Sequence, residues 1–175
     1  MTTFAKLGIS DAYIKALKEI GIIEPTEIQE SVIPKLLETQ TDLIGLAQTG
    51  TGKTAAFGLP ILNTIDATKP EVQGLIIAPT RELVQQIKKQ LFKFTKYIEE
   101  KIFVEGVYGG ERIERQMRAL RRPTHIVVAT PGRLLDLIKR RAVNISTVKT
   151  LILDEADEML SMGFKEDLNN ILKYN

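Results

Sequence analysis

Five short apolar runs, rich in isoleucine, valine and leucine, recur along the chain. They occupy residues 42–47, 74–78, 102–108, 125–129 and 150–153. Continuous apolar runs of this length predict strands that are buried on both faces. Between the runs, apolar residues recur at helical spacing, as in Leu83, Ile87, Leu91 and Phe94, in Ile113, Met117 and Leu120, and in Leu134, Leu135 and Ile138. This alternation predicts an α/β fold with a parallel sheet and helices on both faces.

Polar or glycine-bearing clusters follow all five apolar runs. They are AQTGTGKT (47–54), PTREL (79–83), GG (109–110), TPGR (130–133) and DEAD (154–157). In parallel α/β sheets, ligands bind beyond the carboxyl ends of the strands. We therefore expect the functional residues in these five loops, because packing alone would not place every such cluster at one edge of the sheet.

The cluster AQTGTGKT predicts a phosphate-binding loop. Its two glycines allow the backbone to turn so that successive N–H groups point inward, and a helix beginning at Lys53 adds its own unpaired N–H groups. Lys53 can reach the outer phosphates of a nucleotide, and the Thr54 hydroxyl can bind Mg²⁺. The predicted nucleotide-binding residues here are Ala47, Gln48, Thr49, Gly50, Thr51, Gly52, Lys53 and Thr54. The usual motif begins with glycine, where this chain has Ala47. The alternative to phosphate binding is a purely structural glycine turn that happens to precede a lysine. Pro60 should kink or end the helix.

The DEAD segment places four carboxylates within five positions, namely Asp154, Glu155, Asp157 and Glu158. Clustered like charges repel each other unless water or a cation meets them. We predict that Asp154 holds Mg²⁺, directly or through water, and that Glu155 orients or deprotonates the attacking water. The alternative for the whole cluster is a charged face that water solvates. For Glu158 we favour this alternative and interpret it as a solvated helix residue.

Composition and charge narrow the function further. The 175 residues favour one domain, and without cysteine there is no disulfide framework or thiolate metal site. No targeting segment or membrane-spanning run is evident, so we expect a cytoplasmic location.

Residues 81–141 contain 15 Lys and Arg against 7 Asp and Glu, a local charge of +8 within a chain of net charge +2. This asymmetry favours a polyanionic partner. The alternative is that lysines such as Lys88, Lys89, Lys93 and Lys96 only solvate outer faces.

Together with the segment GIIEPTEIQ (21–29), these motifs occur in an order that resembles the first RecA-like P-loop NTPase domain of DEAD-box RNA helicases. The resemblance covers nearly the whole chain. It implies ATP-dependent local separation of RNA duplexes by two RecA-like domains that close on ATP and RNA together. The implied cofactors are ATP and Mg²⁺. The implied partners are RNA and the second domain, and we expect the isolated domain to be monomeric.

The resemblance also assigns roles to single residues. Residues 1–40 would form the adenine-recognition segment, in which Gln29 would recognise the adenine edge, with Thr26 and Phe4 nearby. In the DEAD segment, Asp157 would couple the nucleotide site to interdomain contacts. The implied RNA-backbone contacts are Pro79, Thr80, Arg81, Gly109, Gly110, Thr130, Pro131, Gly132 and Arg133. Hydroxyl, backbone N–H and guanidinium groups suit phosphate and sugar contacts, which carry no base sequence.

Several of these residues also have purely structural interpretations. Thr26 and Gln29 fit a T-x-x-Q capping box at a helix start. Pro131 suits the first turn of a helix that Thr130 would cap. Arg81 would, in this interpretation, only pair with Glu82 or another neighbouring acid.

The chain departs from the family pattern at three places. Ile22 stands where an aromatic residue is usual, which favours weaker adenine binding. Val84 follows PTREL where alanine is common, a change that we expect packing to absorb. The chain also ends at Asn175, before the Ser-Ala-Thr motif and the second domain. We therefore expect residues 1–175 to be the first lobe of a longer protein, binding adenine nucleotide but not unwinding RNA alone. The alternatives are a lobe of a DNA-directed translocase and a stand-alone, non-enzymatic nucleotide- or RNA-binding module.

Overall fold

The computed structural model describes residues 1–48, 50 and 52–175. Two positions of the predicted phosphate loop, Thr49 and Thr51, lie outside the described residues. The chain divides into two compact units. The first comprises Met1–Ile65 and Gln90–Lys101, and the second comprises Asp66–Lys89 and Ile102–Asn175.

The first unit is helical in its described residues. Its helices are α1 (Asp11–Glu19), α2 (Glu27–Glu38), α3 (Lys53–Asn63) and the last residues of α4 (Arg81–Phe94). The core of the unit contains fully buried side chains such as Leu17, Ile33, Leu59 and Phe94. An added Cβ at Gly58 would lie 2.9 Å from Cδ2 of Leu91, so α3 and α4 approach closely there. Pro60 does not stop α3 at once, since the helix continues to Asn63 and ends within one turn.

A buried tyrosine joins two helices of this unit. The hydroxyl of Tyr13 in α1 donates a hydrogen bond to the carbonyl oxygen of Leu62 in α3, at 3.3 Å. Burial raises the pKa of Tyr13 to about 12, because the low-dielectric surroundings disfavour the phenolate. Tyr13 therefore contributes both apolar surface and a polar link to the core.

The second unit contains the parallel sheet that the apolar runs predicted. Its strands are β1 (Gly74–Ile77), β2 (Val104–Val107), β3 (Ile126–Ala129) and β4 (Thr150–Leu153). They lie in the order β2-β3-β1-β4, and each neighbouring pair is parallel. The helices α5 (Ile113–Ala119), α6 (Pro131–Lys139) and α7 (Ala156–Ser161) each follow a strand along the chain, and α8 (Lys165–Leu172) follows α7. The predicted α/β class and the parallel sheet are confirmed.

Burial differs between the centre and the edges of the sheet. All four residues of β1 and of β3 are buried, whereas β2 and β4 are mostly half-buried. Complete burial was predicted for every run, and it holds only for the two central strands. An edge strand has a neighbour on one side only, so more of its surface stays open.

The strand predicted at residues 42–47 is wrong. This segment has no regular secondary structure, and Ile44 and Leu46 are 87% and 90% exposed. A strand requires a neighbour that pairs with its backbone groups, and residues 42–47 pair with no strand in the described part of the chain. The candidate phosphate loop therefore follows an irregular segment, and four of the five polar clusters follow strands. Among the described helices, none is long and apolar enough to cross a membrane.

Candidate nucleotide- and RNA-binding residues

The glycine turn before α3 has the backbone conformation that the sequence predicts. Gly50 and Gly52 have φ values of 83° and 84°, in the left-handed region that strains other residues. Helix α3 begins directly afterwards at Lys53, with Gly52 as its N-cap. Lys53 and Thr54 therefore lie in the first helical turn, where the helix dipole and the backbone N–H groups, which have no acceptor within the helix, favour an anion.

Gln29 connects this turn to the start of α2. Its side chain is 1% exposed, so both ends of its amide need partners inside the protein. Oε1 accepts a hydrogen bond from the backbone N–H of Thr26 at 3.0 Å, and Nε2 donates to the carbonyl oxygen of Gly52 at 3.1 Å. An added Cβ at Gly52 would collide with the Gln29 amide and lie 3.1 Å from Oγ1 of Thr26. Glycine at position 52 is thus required by packing as well as by its φ value.

The capping-box interpretation of Thr26 and Gln29 is confirmed. Thr26 is the N-cap of α2, and both reciprocal bonds of the box are present. Recognition of adenine by Gln29 stays a prediction, and it is chemically compatible because the amide has a second N–H and a second lone pair. Phe4, the other residue assigned to adenine, is 2% exposed and packs in the core.

An open cavity of about 530 Å³ lies beside these residues. It is lined by Thr26, Glu27, Ile28, Ser31, Leu46 and Ala47. The start of α2 and the first residue of the candidate phosphate loop therefore border one concave surface within the first unit. Small-molecule sites are concave surfaces of this general kind.

In the second unit, Thr80 and Arg81 follow β1 and make different contacts. The Thr80 hydroxyl accepts a hydrogen bond from the Leu83 N–H at 3.2 Å, which satisfies an N–H group at the start of α4. The guanidinium of Arg81 lies 5.1 Å from the centre of the Tyr108 ring and 3.9 Å from the Glu111 carboxylate. The expected pairing of Arg81 with a neighbouring acid is confirmed, and its partner is Glu111 rather than Glu82.

Arg133 ties α6 to the loop after β2. Its Nη1 donates to the Glu111 carbonyl oxygen and to Oε1 of Gln116, both at 3.0 Å. Gln116, which is 5% exposed, then donates from Nε2 to the Tyr108 carbonyl oxygen, also at 3.0 Å. The loop between these contacts contains Gly110, with a φ of 87°. Residues after β1, β2 and β3 are therefore brought together at the carboxyl end of the sheet.

Sequence reasoning missed three members of this cluster, namely Tyr108, Glu111 and Gln116. Tyr108 and Glu111 flank the glycine pair directly, so the functional segment extends beyond Gly109 and Gly110 on both sides. Gln116 carried a usable signal, because it is a polar residue within the apolar stripe of α5. A buried polar side chain requires hydrogen-bond partners, and such partners mark a structured loop nearby.

The capping interpretation of TPGR is confirmed in position. Thr130 is the N-cap of α6, and Pro131 occupies the first helical turn. The Thr130 side chain makes no capping hydrogen bond within the described part of the chain. Its position thus suits the helix start, while the hydroxyl is not used for the cap.

The DEAD segment begins where β4 ends. The Asp154 N–H donates to the Ile77 carbonyl oxygen at 2.9 Å, which extends the pairing of β4 with β1 to this residue. Glu155 is the N-cap of α7 and has φ 54° and ψ 47°, a left-handed conformation that is unusual for a residue other than glycine. Asp157 and Glu158 lie exposed in the first turn of α7, which agrees with the interpretation of Glu158 as a solvated helix residue.

The donor groups of the predicted magnesium ligands fit that ion. Among the described residues there is no group of three or more His, Asp or Glu that could hold a metal by itself. Thr54 and Asp154 offer hydroxyl and carboxylate oxygens, the hard donors that Mg²⁺ prefers. Mg²⁺ commonly takes only one or two protein ligands and completes its shell with water and phosphate.

Comparison with known proteins identifies related chains. The DEAD/DEAH box helicase family matches residues 26–175. A protein of Bacillus cereus named DEAD-box ATP-dependent RNA helicase CshA is 51% identical over 172 residues, which is 98% of this chain and 32% of the relative. The ATP-dependent RNA helicase CshA of Listeria monocytogenes is 51% identical over 99% of this chain and 33% of its own length.

A solved structure matches the fold closely. The crystal structure of a DEAD box protein from the hyperthermophile Methanococcus jannaschii superposes with a TM-score of 0.93 and 38% identity. The match covers 99% of this chain and 47% of the other. The chain therefore spans about a third of the length of these curated relatives, and about half of the solved chain.

Proposed function

Because this chain belongs to the DEAD/DEAH box helicase family, we propose that it is the nucleotide- and RNA-binding lobe of an ATP-dependent RNA helicase. The observation that carries this proposal is the cluster around Arg133. It brings together Arg81, the loop of Gly110 and the start of α6 from three different strand ends. Cationic groups and exposed backbone at this edge suit a sugar-phosphate strand.

The proposed RNA contacts lie at this edge. Arg81 and Arg133 supply guanidinium groups, while Thr80 and Thr130 supply hydroxyls. Pro79, Gly109, Gly110, Pro131 and Gly132 allow the RNA backbone to approach the protein backbone closely. Such contacts are independent of base sequence, and a protein that reads the backbone distinguishes RNA from DNA through the 2′-hydroxyl. We therefore propose RNA, without a preferred sequence, as the substrate.

The proposed nucleotide is ATP. The turn at Gly50 and Gly52 and the N-terminus of α3 receive its phosphates, and Lys53 pairs with the outer ones. Gln29 and Thr26 contact the adenine, beside the open cavity that Thr26 borders. Ala47, Gln48, Thr49 and Thr51 complete the proposed loop by sequence. The packing of Gln29 against Gly52 supports this proposal, since the side chain assigned to the base also contacts the turn assigned to the phosphates.

Thr54 and Asp154 are the proposed Mg²⁺ ligands, Asp154 directly or through water. Mg²⁺, when bound, neutralises negative charge on the phosphates. Glu155 accepts the proton of the attacking water or orients it. Its left-handed backbone conformation sets the direction in which this side chain leaves the end of β4. Asp157 is proposed to couple the nucleotide site to contacts with a second RecA-like domain.

We propose that a longer protein contains that second domain and locally separates RNA duplexes. The residues described here would then bind adenine nucleotide but not unwind RNA by themselves. This proposal is supported by the relatives named ATP-dependent RNA helicase, of which this chain covers about a third.

Titration with fluorescent ATP and ADP tests the nucleotide proposal. We expect Lys53→Ala to weaken ATP binding by about tenfold, the effect of losing about 1.4 kcal/mol from a charge-assisted contact. ADP should lose less, because it lacks the outermost phosphate. Lys18→Ala, at an exposed position of α1, is the matched control. Equal ATP affinity in Lys53→Ala and the control would contradict phosphate binding by this loop.

An ATPase and duplex-opening assay tests the wider proposal on the longer protein. RNA should stimulate hydrolysis more than DNA of the same sequence. Glu155→Gln should retain nucleotide and lose turnover, because the amide cannot accept a proton from water. Undiminished unwinding by Glu155→Gln would remove this residue from its proposed role, and stronger stimulation by DNA would identify a DNA translocase.

A further inference from the structure

The second unit carries an exposed set of arginines that the proposed RNA contacts do not include. We name it the α5 arginine face, and it consists of Arg112, Arg115, Arg118, Arg121 and Arg122. All five residues are exposed. Their guanidinium groups make no ion pair or hydrogen bond with other residues in the part of the chain that the structure describes.

The orientation of α5 is fixed by its opposite side. Ile113, Met117 and Leu120 pack against the core of the second unit. Gln116, on the same side, is held by Arg133 and by the Tyr108 carbonyl oxygen. At 100° per residue, Arg115 and Arg118 then point away from the apolar stripe. Their exposure follows from the helix geometry. Arg122 lies three residues beyond Ala119, the last residue of α5, and is exposed there.

The position of α5 relates this face to the proposed RNA contacts. The helix begins three residues after Gly110, at the carboxyl end of β2. The chain then has to return to the amino end of β3, which is parallel to β2. The α5 arginine face therefore starts beside the proposed RNA-binding edge and leads away from it along the side of the sheet.

The charge pattern differs from that of the other basic helix. On α4, Lys88 lies 3.8 Å from the Glu105 carboxylate, and Lys96, just beyond the helix, lies 2.7 Å from Glu19. The α5 arginine face gathers five positive charges, and its one exposed acid within the helix is Glu114. Like charges at helical spacing repel each other, so an anionic partner would relieve this repulsion. Guanidinium groups match phosphate oxygens in paired hydrogen bonds.

We propose that the α5 arginine face binds the phosphates of RNA that extends beyond the segment held by Arg81, Gly110 and Arg133. This inference rests on the proposed RNA-binding function and adds a second contact region to it. Long RNA is then held at two places, and short RNA at one. The binding is electrostatic, so it weakens as salt displaces the protein from the phosphates.

The test compares two RNAs and two triple variants at several salt concentrations. The RNAs are single strands of about six and about eighteen nucleotides, which bracket the lengths that single nucleic-acid-binding domains cover. The first variant is Arg115→Gln with Arg118→Gln and Arg122→Gln. The control is Lys89→Gln with Lys93→Gln and Lys165→Gln, which removes the same charge from other exposed positions.

We expect the arginine variant to lose affinity only for the long RNA. Its slope of log affinity against log salt should fall by about 2, since each lost single-strand phosphate contact contributes about 0.7. If the affinities are equal near 1 M salt, this slope change corresponds to roughly tenfold weaker binding near 0.3 M salt and to a larger loss at lower salt. The six-nucleotide RNA should bind all three proteins equally, and the control should match the unmodified chain with both RNAs.

A third variant, with Arg115→Lys, Arg118→Lys and Arg122→Lys, separates the effect of charge from an effect on folding. It should keep the salt slope, because the charges remain. Equal long-RNA affinity and slope in the arginine variant and the control would overturn the proposal. A polyglutamate peptide is the probe for an acidic protein partner. If the arginine variant loses polyglutamate binding while its RNA binding is unchanged, the proposal is overturned and the face is assigned to an acidic protein. Failure of the unmodified chain to bind the short RNA would instead contradict the proposed function.

Discussion

The side chain of Gln29 donates a hydrogen bond to the carbonyl oxygen of Gly52, at 3.1 Å. The same amide accepts a hydrogen bond from the Thr26 N–H, at 3.0 Å. One buried side chain therefore fixes both the start of α2 and the turn that precedes α3. The geometry of the candidate phosphate loop depends on a residue 23 positions earlier in the sequence.

Replacing Gln29 with glutamate separates these two bonds. The carboxylate keeps an acceptor for the Thr26 N–H, but it loses the donor and faces the Gly52 carbonyl oxygen with a negative charge. We expect a loss of about 1–3 kcal/mol in the free energy of unfolding, the cost of leaving a buried acceptor unsatisfied. Urea unfolding measures this loss, and titration with ATP should show weaker binding. Gln40→Glu, at an exposed position, is the matched control. Stability equal to that of the control would show that the bond to Gly52 is dispensable.

The left-handed conformation of Glu155 predicts an unusual order of stabilities. A side chain with a Cβ atom is strained at φ 54°, whereas glycine is not. Glu155→Gly should therefore be more stable than Glu155→Ala by about 1 kcal/mol. Both variants lack the carboxylate, so its interactions cancel from the comparison, which thermal or urea unfolding can make.

Glu158 provides the reference for this comparison. It lies exposed within α7, where alanine is favoured over glycine by about 1 kcal/mol. The order at position 158 should thus be the reverse of that at position 155. If alanine is the more stable substitution at both positions, Glu155 does not hold the left-handed conformation in solution.

Gln116→Ala tests the cluster at the sheet edge. The substitution leaves the Tyr108 carbonyl oxygen without its donor and Arg133 without one acceptor, so we expect a loss of about 1–3 kcal/mol in stability. RNA affinity should fall as well, because the loop containing Gly110 loses its link through Gln116 and is held to α6 only by the bond from Arg133 to the Glu111 carbonyl oxygen. Gln86→Ala, on the exposed side of α4, is the control for unfolding and for RNA binding. An unchanged RNA affinity in a destabilised Gln116→Ala protein would limit this residue to a structural role.

Tyr13 predicts a loss of stability at high pH. Burial raises the pKa of Tyr13 to about 12, from an ordinary value near 10, so the folded state holds the phenolic proton more tightly than the unfolded state does. This contribution to stability is complete below pH 10 and is lost as the pH rises towards 12. The unmodified chain should therefore lose more stability between pH 9 and pH 12 than Tyr13→Phe does.

Urea unfolding of both proteins at several pH values measures this difference. Lysine deprotonation affects both proteins alike and cancels. Parallel stability curves across this range would show that Tyr13 titrates normally in the folded chain.

Local sequence determined the elements whose signals lie within a few residues. The central strands β1 and β3, the turn at Gly50 and Gly52, and the cap formed by Thr26 follow from apolar continuity, backbone freedom and side-chain reach. The order of motifs also identified the family, because each motif keeps the residue types that its chemistry requires. These features need only neighbouring residues, so a linear pattern records them.

Tertiary structure decided which groups meet. The segment 42–47 has the composition of a buried strand but lies exposed, because strand formation depends on a neighbour that sequence composition does not specify. Arg133 was expected to contact RNA, and it also holds Gln116 and the loop after β2. Gln29 was open to two interpretations, and only its position beside Gly52 showed how its amide is used. Hydrogen bonds between distant positions arise from packing, and packing is a property of the folded chain as a whole.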